Sequence, residues 1–327
     1  MRWGSGLLLL ASVGVAVVLS ARFGSVPLTT GDLLGVLDGT AAPSHRFIVL
    51  ELRLPRALMG VLVGGGLALA GAVFQALLRN PLAEPYILGI SGGAAFGAVL
   101  TLALGLAAAS WLLPVAAFAG ALLAIGLVFG VAVSAHRRLD VRVLLLAGVV
   151  VGAFFSACIA LVLALAEATV VRSAVLWMMG SVSGASWRDV GIVATYTLPA
   201  TLVLVALARS LNLMAIGEET AGYLGTDVER VKRVGYGVAS LVAAAGVAFT
   251  GVIGFVGLVV PHGVRLVWGS DHRDLLPLSF LAGAAFLTLA DLLSRVVLAP
   301  TEVPIGVVTA FVGVPFFLIL LRRSLRA

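Results

Sequence analysis

Eight long stretches of this chain contain no Asp, Glu, Lys or Arg: Trp3–Ala21, Ala57–Leu78, Tyr86–Ala135, Val143–Ala166, Val190–Ala208, Val234–Val264, Leu275–Ala290 and Val303–Leu321. A helix needs about 20 apolar residues to cross a hydrocarbon core of about 30 Å. Tyr86–Ala135 has 50 residues and reads as two spans, with a break near Ser110–Pro114 where Pro114 suits a first helical turn. Val234–Val264 has 31 residues; Gly251, Gly254 and Gly257 interrupt it and Pro261 follows. It reads as one full helix, a turn and a short helix of about ten residues. Leu275–Ala290 continues past Asp291 to Val297. The pattern predicts an all-α polytopic membrane protein with ten transmembrane helices.

Composition agrees. The 327 residues are 61% hydrophobic and 11% charged, with a mean hydropathy of +1.17, against about 45–50% apolar and about 25% charged in soluble domains. A soluble enzyme, a disordered chain and a secreted disulfide scaffold are excluded. Cys158 is the single cysteine and the four histidines lie far apart, so no intramolecular disulfide or metal-ligand set is expected. The net charge of +6 comes from 20 Arg and Lys232, scattered between apolar runs; a nucleic-acid binder would gather them on one face. The first stretch follows Arg2 like a signal peptide, but Ala21-Arg22-Phe23 makes a poor cleavage site, so a retained first helix is expected.

With the N-terminus inside, 14 Arg and Lys fall on inner segments (2, 79, 137, 138, 142, 209, 230, 232, 233, 265, 273, 322, 323 and 326) and 7 on outer ones (22, 46, 53, 56, 172, 188 and 295). The bias places both termini in the cytoplasm. The outer loop at about 22–56 and the inner loop at about 209–233 are the longest connections. The inner loop predicts two short helices: Glu218–Leu224, stopped by Gly225, and a second capped by Thr226 or Asp227. Such helices suit docking to a soluble partner.

Gly60/Gly64, Gly93/Gly97, Gly126/Gly130 and Gly148/Gly152 are small-xxx-small pairs that predict close helix packing. Gly64-Gly65-Gly66 lies mid-span and reads as a packing feature; the phosphate-loop motif is absent from the sequence. Asp291 and Arg295 share a helix face, which predicts an ion pair near the outer boundary, a proton relay being the alternative. No nucleophile–base arrangement points to a membrane enzyme. Few ionisable residues fall at bilayer depth, where an ion-coupled secondary carrier would keep them.

Several strings carry a resemblance: Arg53-Leu54-Pro55-Arg56; Gly71-Ala72-Val73-Phe74-Gln75 through Asn80-Pro81-Leu82-Ala83-Glu84-Pro85; Leu88-Gly89-Ile90-Ser91-Gly92-Gly93-Ala94; Leu144 to Gly148; Trp177 to Ser181; Gly254-Phe255-Val256-Gly257-Leu258-Val259-Val260-Pro261-His262; and Glu302 to Val307. They resemble the permease family of vitamin B12, ferric-siderophore and haem ABC importers, often called FecCD, from about residue 45 to 320.

The resemblance implies one transmembrane permease domain over 1–327, of the type II ABC importer architecture. It implies a homodimer in the bacterial inner (plasma) membrane, with the pathway between subunits lined by the fifth and tenth helices. Two ABC ATPase subunits would bind ATP and Mg on the cytoplasmic side, leaving no catalytic residue, metal or cofactor in this chain. A periplasmic or lipid-anchored binding protein would deliver the cargo, docking on Arg53, Arg56 and Arg295. The cytoplasmic gate would use Asn80, Leu82, Val141 and Arg142. ATPase coupling would use Glu218, Glu219, Ala221, Leu224, Gly225 and Val228. The family's B12 branch has a small polar residue where Val141-Arg142 stands here beside Asp140. A basic gate suits an anionic chelate, haem or ferric siderophore, ahead of cobalamin; the alternative is that Arg142 pairs with Asp140 or only sets topology.

Overall fold

The computed structural model describes residues 3–24, 26–108, 111–135 and 139–324. Their regular structure is helical: α1 Trp3–Arg22, α2 Thr30–Asp38, α3 Pro43–Phe47, α4 Leu54–Leu77, α5 Ile90–Ala103, α6 Leu112–Ala135, α7 Val141–Leu165, α8 Ala168–Met178, α9 Trp187–Ala206, α10 Ala208–Ile216, α11 Glu218–Tyr223, α12 Val228–Thr250, α13 Val256–Trp268, α14 His272–Val296 and α15 Ile305–Ser324. Among the described residues, seven helices are long and apolar enough to cross a membrane: α1, α4, α6, α7, α9, α12 and α14. The other three expected spans are the shorter α5, α13 and α15. At 1.5 Å per residue, the 14 residues of α5 cover about 21 Å, so it crosses only part of the apolar layer. The 11-residue α8 is a further apolar helix that the charge pattern does not reveal. Arg2, Arg137, Arg138, Arg326 and the Ser110 break lie outside the described residues.

The central element is α4, buried along most of its length. It packs on α14, α12, α13 and α9, while α5, α6 and α7 form a second layer and α1 lies against α14. Small residues set these distances. A Cβ built on Gly64 would fall 2.3 Å from Gly283 O, so the α4–α14 crossing is backbone on backbone. Gly93 and Gly97 meet α6 in the same way. Gly126 and Gly130 face open space, which corrects the packing role expected for that pair.

Two sequence expectations change at helix ends. The connection at 22–56 is mostly helical: α2 carries a capping box between Thr29 and Asp32, and α3 runs through a π-turn at Ile48–Arg53 into α4 as one 35-residue rod. The rod extends past Arg56, Arg53 and Glu51, where a charge-free reading of the sequence stops. In the capping box, the Thr29 hydroxyl and amide, with His45 alongside, hold the Asp32 carboxyl below its usual range. At 209–233, the second short helix is instead the first turns of α12, and residues 208–216 form α10.

Candidate functional site

Three groups of residues occupy the two ends and the middle of the bundle. At one end, Arg56 on α4 reaches Asp291 on α14. Its Nε donates to Oδ1 and Oδ2 at 3.0 and 3.1 Å, and its Nη2 to Oδ1 at 2.8 Å. The same guanidinium donates to both oxygens of Glu302 at 2.9 Å. Arg295 Nε lies 3.2 Å from Asp291 Oδ2, the i,i+4 pair expected from spacing. Arg53 donates to the carbonyls of Ala21, Arg22 and Val26, and Arg295 to Ser20 O, Ser20 Oγ and Phe23 O. Both arginines thus satisfy the orphan carbonyls at the C-terminus of α1, where positive charge is also favoured by the helix dipole.

This arrangement leaves little of the expected docking residues Arg53, Arg56 and Arg295 at the surface. The three arginines do lie together at one end, but Arg53 and Arg295 are buried and face inward. Only the Arg56–Glu302 pair reaches the surface, through a glutamate side chain 37% exposed. The Arg56–Asp291 pair across 235 positions carries no sequence signal.

In the middle, α12 breaks at Gly251 and α13 starts at Val256. Phe255 sits there at φ +69°, a conformation costly for a side-chain-bearing residue. The Glu84 carboxylate accepts its N–H at 2.7 Å, and the Tyr86 hydroxyl accepts that of Ile253 at 3.4 Å. Buried Gln75 ties the same region together: its Nε2 donates to Gly257 O and Leu258 O, and its Oε1 accepts from both Nη atoms of Arg265 at 3.1 Å. The Asn80–Pro85 string therefore stitches α4 to the α12–α13 break. Beside the break lies an open cleft of about 580 Å³ whose walls are almost wholly apolar, including Met178, Met179, Phe255, Val307 and Phe311.

At the opposite end, Asn80 shapes a turn: its Oδ1 accepts the Leu82 N–H at 2.9 Å, leaving the Leu82 side chain exposed. Asp140 caps α7 by accepting the Arg142 N–H at 2.7 Å. The Arg142 side chain is exposed and forms no ion pair among the described residues, so the Asp140 contact is with the backbone and not the guanidinium.

α11 ends as foreseen at Gly225, φ +86°, with Thr226 N–H on Ala221 O and Gly225 N–H on Gly222 O; this is a Schellman motif. Asp227, rather than Thr226, caps α12. Ala221 is fully buried and so presents no surface to a partner, whereas Val228 is half-buried against the core. Glu219, Leu224 and Gly225 are exposed and Glu218 is half-buried.

Four residues that sequence reasoning missed stand out here. Tyr223 is 90% exposed, beside Leu224 at 60% and Ile216 at 71%. A tyrosine closing a short polar helix was the available signal. Lys232, the chain's one lysine, is buried; it pairs with Glu218 and donates to Leu139 O at 3.3 Å. Glu229 accepts the Leu139 N–H at 3.1 Å. Lys232 and Glu229 therefore fasten the entry to α7 onto α11 and α12. Arg79 reaches Met214 O at 3.2 Å and lies 3.8 Å from Glu218. The two expected gate segments and the expected coupling helix thus share one end of the bundle.

A family model described as the FecCD transport family matches residues 9–323. The chain is 40% identical to an uncharacterized ABC transporter permease protein, YvrB, of Bacillus subtilis, over 99% of this chain and 95% of that protein. It is 43% identical to the cobalamin import system permease protein BtuC of Halobacterium salinarum, over 96% and 86%. It is 38% identical to the hemin transport system permease protein HmuU of Yersinia pestis, over 98% and 95%. Among solved structures, one described as an inward-facing conformation of a metal-chelate type ABC transporter superposes with a TM-score of 0.88 at 29% identity, covering 97% of this chain and 98% of that one.

Proposed function

This chain belongs to the FecCD transport family, and from that premise we propose that two copies form the membrane channel of an ATP-driven importer for a metal chelate. It is a multi-pass permease subunit. ATP and Mg belong to a separate pair of ATPase subunits that dock from the cytoplasm, and a binding protein delivers cargo at the Arg56–Glu302 end. The membrane is the bacterial inner (plasma) membrane, with both termini cytoplasmic. Dimerisation brings α7 and α15 of both copies around the pathway, where their exposed apolar rows (Leu146, Val150, Phe154; Phe311, Leu318) are covered.

The observation that carries the reading is the junction at the α11 end. Exposed Tyr223 and Leu224 offer a soluble partner an apolar anchor, and Lys232 links that surface to the start of α7. A partner that moves α11 thereby moves the gate at Asn80, Leu82, Val141 and Arg142. Buried aromatic anchors dominate interfaces, and truncating one costs about 2 kcal/mol or more. Tyr223→Ala should therefore weaken capture of the cognate ATPase about 30-fold while leaving membrane insertion and thermal stability unchanged. Undiminished ATPase binding and hydrolysis in proteoliposomes would remove this surface from the coupling mechanism.

The cargo is an iron chelate, haem or ferric siderophore, with cobalamin the second reading. Similarity to hemin and cobalamin permeases supports each. The apolar cleft beside Phe255 suits a cargo with a broad apolar ring face. Unpaired Arg142, doubled in a dimer, favours an anion, since guanidinium groups hold carboxylates in bidentate fashion. Arg142→Ala should then slow haem uptake into proteoliposomes more than uptake of a neutral chelate, with Arg142→Lys restoring part of it. Equal uptake of every cargo by all three proteins returns cobalamin to equal standing.

A further inference from the structure

Helices α6 and α9 both pack against α12 yet touch each other only sparingly. Between them lies a cleft of about 570 Å³, within the range of roughly 300–1,000 Å³ that holds a small organic ligand. Met59 of α4 and Phe249 of α12 form its floor, and Val115 and Phe118 of α6 face Ile192 and Tyr196 of α9 across it. The Phe118 and Tyr196 rings, 5.4 Å apart, bridge the two walls. The mouth is at the same end as Arg56, because the loop at 183–186 borders both the cleft and the arginine cluster. Two charged groups stand there. Asp189 is occupied by the amide and hydroxyl of Ser186. Arg188 is exposed and has no hydrogen bond or ion pair among the described residues. Trp111, at the start of the α6 wall, is 56% exposed, as expected of an aromatic side chain at a membrane–water boundary.

We propose that this cleft is a binding site for an anionic phospholipid, with one acyl chain lying between α6 and α9 and the headgroup phosphate on Arg188. The reasoning is one of complementarity. Next to the cleft, α6 and α9 carry exposed apolar side chains, Leu123 and Leu127 on one and Leu198 and Leu202 on the other, as helix faces that meet a bilayer do. Met59, Val115, Phe118, Ile192 and Phe249 give the inner walls the apolar surface an acyl chain needs, and the polar lining residues Ser183, Ser186, Arg188 and Asp189 gather at the mouth, where a headgroup would sit. Arg188 lines the mouth without a protein partner among the described residues; a guanidinium can hold a phosphate in bidentate fashion, and at the upper end of the range for exposed ion pairs this favours anionic lipid about fivefold. Because the loop at 183–186 is shared, the bound lipid also supports the wall of the arginine cluster. The site is independent of the transported cargo.

The test uses full-length protein in nanodiscs with Trp111 kept and Trp3, Trp177, Trp187 and Trp268 changed to Phe. Brominated phosphatidylglycerol, titrated into a phosphatidylcholine background, should quench Trp111 saturably and about five times more strongly per molecule than brominated phosphatidylcholine. Arg188→Ala should bring that ratio to about one, Arg188→Lys should restore most of it, and Val115→Phe, which fills the cleft, should remove the saturable phase. Native mass spectrometry of the wild-type protein and Arg188→Ala gives a second readout that needs no tryptophan changes: one retained phosphatidylglycerol per subunit, lost in the variant. Equal quenching by the two lipids, displacement of the brominated lipid by haem, or retention of the lipid in Arg188→Ala would each overturn the proposal.

Discussion

Gly71→Ala should abolish the native crossing of α4 and α13, while Gly126→Ala should leave the protein folded. A Cβ on Gly71 would stand 1.9 Å from Gly257 O and 2.6 Å from Gly257 C and Cα. These are backbone atoms, so no rotamer change relieves the clash, and ordinary contact begins near 3.4 Å. The helices would have to part by about 1.5 Å, the difference between those distances. That separation breaks the Gln75 hydrogen bonds to Gly257 O and Leu258 O, 3.2 and 3.4 Å long, and loosens the Arg265 contact behind them. Overpacking of well-packed interiors costs about 1–3 kcal/mol and sometimes more; a backbone-to-backbone clash with loss of buried hydrogen bonds belongs at or above the top of that range. Gly126 has nothing within 4 Å of a built Cβ, and alanine there gains about 0.5–1 kcal/mol in a helix interior. Unfolding followed by circular dichroism in detergent separates the two. Equal midpoints for Gly71→Ala and Gly126→Ala would show that the crossing is not the tight contact described here.

The second large effect concerns Arg56. Removing its guanidinium leaves the Asp291 carboxylate, 2% exposed, with Arg295 Nε at 3.2 Å as its remaining cationic partner. Breaking a buried pair from one side costs about 3–5 kcal/mol when the surviving charge is left uncompensated; here Arg295 compensates part of it, so the loss falls toward the lower end of that range. Glu302, 37% exposed, is hydrated in any case, and its loss should cost about 1 kcal/mol or less. Arg56→Ala should therefore destabilise the protein far more than Glu302→Ala. Arg56→Lys should also fall short, since a single ammonium cannot face two carboxylates with five fixed donors. If binding-protein docking runs through Arg56, Glu302→Ala is the variant that reports it, changing association kinetics without a stability loss. Comparable losses of stability in Arg56→Ala and Glu302→Ala would show that the buried network does not hold this end together.

The sequence by itself determined the membrane architecture. An uninterrupted apolar run has few solutions in a bilayer, so the charge-free stretches locate the spans, although helices such as α4 and α14 run on through charged residues; the break at Gly251–Gly257 is visible because glycine and proline interrupt a helix locally. The stop at Gly225 was legible for the same reason: a left-handed residue ends a helix whatever surrounds it. The family, too, was legible, because the Asn80–Pro85 and Gly257–His262 strings are contiguous. What only the tertiary structure decided are relations between distant positions. Arg53 and Arg295 look like surface charges until α1 ends beside them with unsatisfied carbonyls. Gly64 and Gly126 are indistinguishable as letters, yet one meets Gly283 and the other meets nothing. Ala221 and Tyr223 sit two positions apart on a short polar helix, and only the packing of α11 against α10 and α12 buries the first and leaves the second exposed. Hydrophobicity and backbone conformation act along the chain and can be read from it; which charge is paired, and which small residue is a contact, depends on what folds back against it.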